Sequence, residues 1–168
     1  VQLDYRRVST RVAMRDLLFS VAERCDGVRC DMAMLVLNEV FAQTWANFPS
    51  NAETPDHEFW GDAVAAVKQA HPDFLFLAEV YWDLEARLLA LGFDFAYDKR
   101  LYDELFWRNP AGAQGRLLGL PRAQLVRGAH FLENHDEPRI AAQLSPAEQR
   151  AAALAILGLP GLRFLHEG

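Results

Sequence analysis

The chain has 168 residues, 51% of them hydrophobic, with 17 Lys and Arg against 23 Asp and Glu and a net charge of −6. That is about one ordinary domain with ample material for a core. The acidic balance and scattered arginines argue against a nucleic-acid surface, and no apolar run approaches the roughly 20 residues that span a bilayer.

The opening residues, "VQLDYRRVST", lack the apolar stretch of a signal peptide. Residues 8–25 carry Val12, Leu17, Leu18 and Val21 at helical spacing, with Ser9 or Thr10 as the expected N-cap. Asp26-Gly27 breaks that helix, and "GVRCDMA" reads as a short strand. A second helix is expected from about Pro55 to Ala70, closed by His71-Pro72. "FLFLAEVYW" reads as an apolar strand interrupted by one acid, "DLEARLLALG" as a short helix stopped by Gly92, and "FDFAYD" as a third strand. "KRLYDELFWRN" reads as a helix ended by Asn109-Pro110, with a further helix over residues 115–127. "AHFLEN" is the fourth strand. Ser145, Pro146 and Glu148 then form a helix start with a capping box, and "GLRFLHEG" opens a fifth strand.

Apolar strands alternating with amphipathic helices predict an α/β fold with a parallel sheet. A doubly wound sheet and a piece of a (β/α)8 barrel both produce this order. Polar groups gather at the carboxyl ends of several strands (Asp31, Glu79, Asp98 and Asn134 to Asp136), as barrel enzymes arrange their chemistry. No glycine-rich phosphate loop occurs. The expectation is a partial TIM barrel. Five strands do not close a barrel of eight, so residues 1–168 are read as a fragment of one catalytic domain. The two cysteines, Cys25 and Cys30, make no disulfide framework, and a cytoplasmic setting is the default expectation.

Three segments carry candidate chemistry. In "GVRCDMA", strand alternation puts Arg29 and Asp31 on one face. A guanidinium beside Asp31 would favour its ionised form, as a nucleophile requires, although a structural ion pair reads the same way. Glu79 lies in an apolar run, which favours the protonated form that a general acid needs, unless it reaches water or an arginine. Tyr81 and Trp82 follow and suit either a sugar-ring platform or core packing. In "HFLENHDEPR", Asn134 and Asp136 share a face if the strand continues, while Asp136 as a cap of a short helix is the plainer alternative. Two carboxyls driven toward opposite protonation states are what retaining glycoside hydrolysis uses.

"GVRCDMA", "LAEVYW" and "ENHDEPR" resemble, in order and separation, the second, third and fourth sequence motifs of the α-amylase family, glycoside hydrolase family 13. "LPGLRFLHEG" resembles that family's eighth strand. The resemblance implies about strands 4 to 8 of the catalytic barrel, with the first strands and the C-terminal β domain absent. It implies Asp31 as nucleophile, Glu79 as general acid/base and Asp136 as the third acid. Arg29 would orient the nucleophile and His135 would bond the sugar, with Asn134, Tyr81, Trp82 and Arg139 also facing substrate. The implied activity is retaining hydrolysis of α-glucosidic bonds in α-linked oligosaccharides or polysaccharides through a glucosyl-enzyme intermediate. The implied partners are that substrate and the rest of the chain's own barrel, with no nucleic acid and no membrane.

The chain departs from the family where many starch-cleaving members have a Lys-His pair: here those positions are Met34 and Leu35. The family's first motif and its calcium-binding region are absent, so no cofactor is expected in this chain, with calcium left to the full-length protein. Rival readings are a transglycosylase sharing the intermediate, a non-catalytic amylase-like domain, and a metal-dependent barrel hydrolase using His130, His135, Asp136, Asp31 and Glu79.

Overall fold

The structure is a computed structural model that describes residues 2–52 and 55–167. The chain divides into two compact units, Val1–Asp94 and Phe95–Gly168. Its five expected strands are all present and its class is α/β.

The first unit runs α1 (Val8–Ala22), β1 (Gly27–Cys30), a 3-10 turn (Ala33–Val36), α2 (Asn38–Thr44), α3 (Phe59–Ala70), β2 (Leu75–Ala78) and α4 (Glu85–Ala90). β1 and β2 pair in parallel, Gly27 with Leu75 through Cys30 with Ala78. Helix α3 buries Phe59, Trp60, Ala63, Val64 and Val67, the stripe that a 3.6-residue period draws on one face. Full burial of each large apolar side chain contributes about 1.5–3 kcal/mol. Aromatic rings continue this core: Tyr5 lies 4.9 Å from Phe59, Trp60 lies 5.0 Å from Phe93, and Phe93 lies 6.0 Å from Phe76.

Two expected helix starts move. Helix α1 begins at Val8 after Arg7, with no side-chain cap, so neither Ser9 nor Thr10 fills that role. Helix α3 begins at Phe59, four residues after Pro55. Its N-cap, Glu58, turns its carboxylate outward to accept from the Asn38 amide at 2.8 Å and from Arg87 at 2.6 Å. The stop at Gly92 is present. Its φ of +106° is a left-handed conformation that glycine adopts without strain, and a Cβ there would sit 2.9 Å from Val64.

The second unit runs β3 (Phe95–Tyr97), α5 (Lys99–Phe106), α6 (Pro110–Gly119), α7 (Arg122–Leu125), β4 (Gly128–His130), α8 (Ile140–Gln143), α9 (Pro146–Gly158) and β5 (Leu162–Arg163). β4 pairs in parallel with both β3 and β5. Asn109-Pro110 not only ends a helix but starts one. The Asn109 side chain accepts from the Gly112 amide at 3.0 Å, and Pro110 takes the first turn. The helix expected over residues 115–127 is therefore two, broken at Leu120-Pro121. The capping box at α9 is present: Ser145 and Glu148 bond each other's backbone reciprocally. The Ser145 amide, the Ser145 hydroxyl and Arg108 together hold the Glu148 carboxyl down at about 2. Tyr97, Tyr102, Phe131 and Phe164 form the aromatic centre of this unit, with Tyr102 stacked on Phe131 at 5.4 Å.

Cys25 is exposed and Cys30 buried, both as free thiols, and burial pushes Cys30 up to about 12. Among the described residues, no helix is long and apolar enough to cross a membrane.

Candidate active site

The register of β1 and β2 brings the first unit's candidate residues together. Arg29 pairs with Leu77 and Cys30 with Ala78, so one further step sets Asp31 beside Glu79 on the same face. The ladder carries on past the strand ends: the Glu79 amide donates to the Cys30 carbonyl at 3.0 Å, and the Ala33 amide donates to the Glu79 carbonyl at 2.9 Å. Two acids from separate stretches of chain thus meet at the carboxyl end of a parallel pair.

Arg29 holds both. One guanidinium nitrogen, Nη1, lies 2.7 Å from Asp31 Oδ1, and the other, Nη2, lies 2.9 Å from Glu79 Oε1. The two carboxylates differ sharply in exposure. The Asp31 side chain is 76% exposed and that of Glu79 is 2% exposed. Glu79 also accepts from the Tyr81 hydroxyl at 2.9 Å on Oε1 and from the Met32 amide at 2.6 Å on Oε2. The expected apolar setting of Glu79 is therefore only half of what surrounds it. Buried Ala78 and Val80 flank it in sequence, but its carboxylate faces three donors.

The two loops that follow β1 and β2 are unusual in their backbone. Met32 has φ 43°, and Trp82 and Asp83 have φ 64° and 58°, left-handed conformations uncommon outside glycine. Such positions cost on the order of 1–3 kcal/mol each and persist where surrounding contacts impose them. At Met32 the turn aims the amide at Glu79, and Trp60 Nε1 braces the next residue by donating to the Ala33 carbonyl at 2.7 Å. The turn at Trp82 leaves that indole 61% exposed, so Trp82 is not core packing.

In the second unit the strand ends at His130, so the segment after it is a loop. Asn134 is buried, and its Oδ1 accepts from the amides of Asp136 and Glu137 at 3.0 and 2.9 Å. Asn134 thus ties a turn within the loop. The short helix, α8, starts only at Ile140, with Arg139 at its N-cap position and its first amide taken by Glu133, so Asp136 is not its cap. His135 Nε2 lies 3.1 Å from Asp136 Oδ2, with both side chains more than half exposed. Arg139 pairs with Glu133 at 3.2 Å.

The metal-dependent rival fails at His130. That residue is buried, its Nε2 donates to the Pro160 carbonyl at 3.0 Å, and its Nδ1 lies 3.2 Å from Asp98. Asp98 also meets Arg116 at 3.0 Å. Burial would push the Asp98 carboxyl up, but His130 and Arg116 outweigh it and hold the group below its ordinary value. Among the described residues, no group of three or more His, Cys, Asp or Glu is placed to hold a metal ion. Met34 is fully buried in the 3-10 turn and does not face a ligand.

One contributor escaped the sequence reading: the Met32 amide carries no signal in a side-chain pattern. Tyr81 was expected at the site for its ring, and the contact of its hydroxyl with Glu79 had a signal too, because residues i and i+2 of an extended chain share a face.

No family model matches the chain. A curated protein, the α-amylase MalA of Haloarcula japonica, is 27% identical over 175 residues, which cover 98% of this chain and 23% of that protein. An α-amylase structure from Lactobacillus plantarum superposes with a TM-score of 0.72 at 24% identity, over 99% of this chain and 40% of that one. The maltogenic α-amylase AmyB of Thermotoga neapolitana gives 0.70 at 22% identity, over 100% and 36%. A debranching enzyme from Nostoc punctiforme gives 0.74 at 17% identity, over 98% and 38%. The chain thus spans less than a quarter of the curated relative and about two fifths of the solved amylases. Its fold is a partial (β/α)8 barrel, and in sequence as in fold the chain resembles the α-amylase family.

Proposed function

We propose that the protein carrying this chain is a retaining glycoside hydrolase acting on α-glucosidic bonds of α-glucans or their oligosaccharides. The observation that carries this reading is one guanidinium, Arg29, touching both an exposed aspartate and a buried glutamate at the carboxyl end of adjacent parallel strands. Relatives named as α-amylase, maltogenic α-amylase and debranching enzyme support the substrate class.

The chemistry divides between the two acids as their exposure suggests. Asp31 is open to a ligand and bonded on one oxygen by Arg29, which orients the other for attack on the anomeric carbon. The bond to the leaving oxygen breaks as Glu79 delivers a proton to that oxygen, leaving a glucosyl ester on Asp31. Glu79, now a carboxylate, takes a proton from water, the water oxygen attacks the same carbon, and Asp31 leaves. Asp136 and His135, presented on a loop that Asn134 fixes, would bond sugar hydroxyls and stabilise the oxocarbenium-like transition state.

The test is covalent trapping in the full-length protein. A slow fluorinated α-glucosyl donor should label one peptide, at Asp31, and Asp31→Asn should abolish labelling and turnover together. A label on another residue, with turnover retained in Asp31→Asn, ends the proposal.

A further inference from the structure

The sequence casts Tyr81 as a ring for sugar stacking or for core packing. Its hydroxyl tells a different story, because it lies 2.9 Å from Oε1 of the buried Glu79. Glu79 faces three partners: Arg29 as an ion pair, and the Met32 amide and the Tyr81 hydroxyl as hydrogen-bond donors. The first two can only donate. A carboxyl that cycles between acid and base must lose part of its match to such partners whenever it carries the proton. A phenolic hydroxyl can both donate and accept, and it rotates to suit its neighbour. Of the three, Tyr81 alone can reverse its hydrogen bond, donating to the Glu79 carboxylate and accepting from the protonated acid at the same oxygen.

We infer that Tyr81 is the positioning residue of the acid/base: its hydroxyl keeps the Glu79 carboxyl aimed at the leaving oxygen while the proton comes and goes. The inference rests on the proposed function and names a device within that same site. The backbone enforces the arrangement. Residues 79 and 81 share a face, and the left-handed turn at Trp82 and Asp83 ends the extended segment immediately after Tyr81.

Tyr81→Phe keeps the ring and removes only the hydroxyl. It should be compared with the parent in the full-length protein on two substrates: an unactivated α-glucan oligosaccharide, whose leaving oxygen needs a proton, and α-maltosyl fluoride, whose leaving group does not. For the oligosaccharide, kcat should fall by about tenfold, the scale of one lost hydrogen bond to a charged group, with KM little changed. For the fluoride, kcat/KM, which covers only the steps up to the glucosyl ester and so leaves out the base step, should fall by less than about threefold, which also shows that the variant is folded. Equal losses on both substrates would mark a merely structural role and overturn the inference. So would no loss on either, with Tyr81→Ala raising KM, which is the behaviour of a stacking platform. Glu79→Gln run alongside separates the two levels. If it shows the split and Tyr81→Phe does not, only the role of Tyr81 falls; if Glu79→Gln shows no split, the acid/base assignment falls with it.

Discussion

Each unit of this chain buries one carboxylate just beyond a strand, and the two are put to different use. Glu79, after β2, leaves its neighbour Asp31 open to solvent and is met on both oxygens by groups from β1 and the turn that follows it. Asp98, after β3, is turned inward. It caps α5 through the Leu101 amide at 3.3 Å, meets Arg116 from α6, and lies against His130 of β4. Burial and an arginine are common to both sites. What separates the acid proposed as reactive from the structural one is whether the group beside it faces water or the interior.

The comparison breaks if the two acids respond alike to loss of charge. Glu79→Gln should reduce turnover of an unactivated α-glucoside by about 10²–10⁴-fold, the usual share of general acid catalysis, and leave the fold intact. Asp98→Asn should lower the unfolding midpoint and leave kcat of the folded fraction near that of the parent. Steady-state kinetics paired with denaturant unfolding checks both.

The arginines sharpen it. Replacing Arg116 by Met leaves Asp98 buried without one partner, which costs about 3–5 kcal/mol of stability at little cost to turnover. Replacing Arg29 by Met should cost stability on the same scale through Glu79 and abolish activity as well, because the same guanidinium orients Asp31. An Arg29 variant with normal turnover would remove the ground for treating the two acids as one site.

Acid titration gives a smaller signal. The Asp98 carboxyl is held below its ordinary value of about 3.9 in the folded chain, so as pH falls the unfolded chain takes up the proton first. The stability that Asp98 contributes is complete above that value and is lost as pH drops through it toward the folded-state value. The gap in unfolding midpoint between the parent and Asp98→Asn should therefore narrow below about pH 4. A gap constant with pH contradicts the pairing. The smallest effect lies at the α9 cap, where Ser145→Ala should cost about 1 kcal/mol with no change in turnover.

What the amino-acid order determined alone is the part of the fold written in local pattern. The alternation of strands and helices, the stop at Gly92 and the reciprocal cap of Ser145 and Glu148 all depend on residues within a few positions of one another. So does the pairing of Arg29 with Asp31, two residues apart on one strand face. Helix α2 escaped that reading: residues 33–44 are apolar without a clear period, and the first α2 amide, at Asn38, is satisfied by Glu58, twenty residues away. Asp98 and Glu79 looked alike in sequence as acids ending strands. Only packing decided that one would meet His130 and Arg116 and the other the Met32 amide and the Tyr81 hydroxyl. The reason is physical: periodicity reports which face of an element is buried, whereas strand register and backbone turns select which distant donor a buried carboxylate meets.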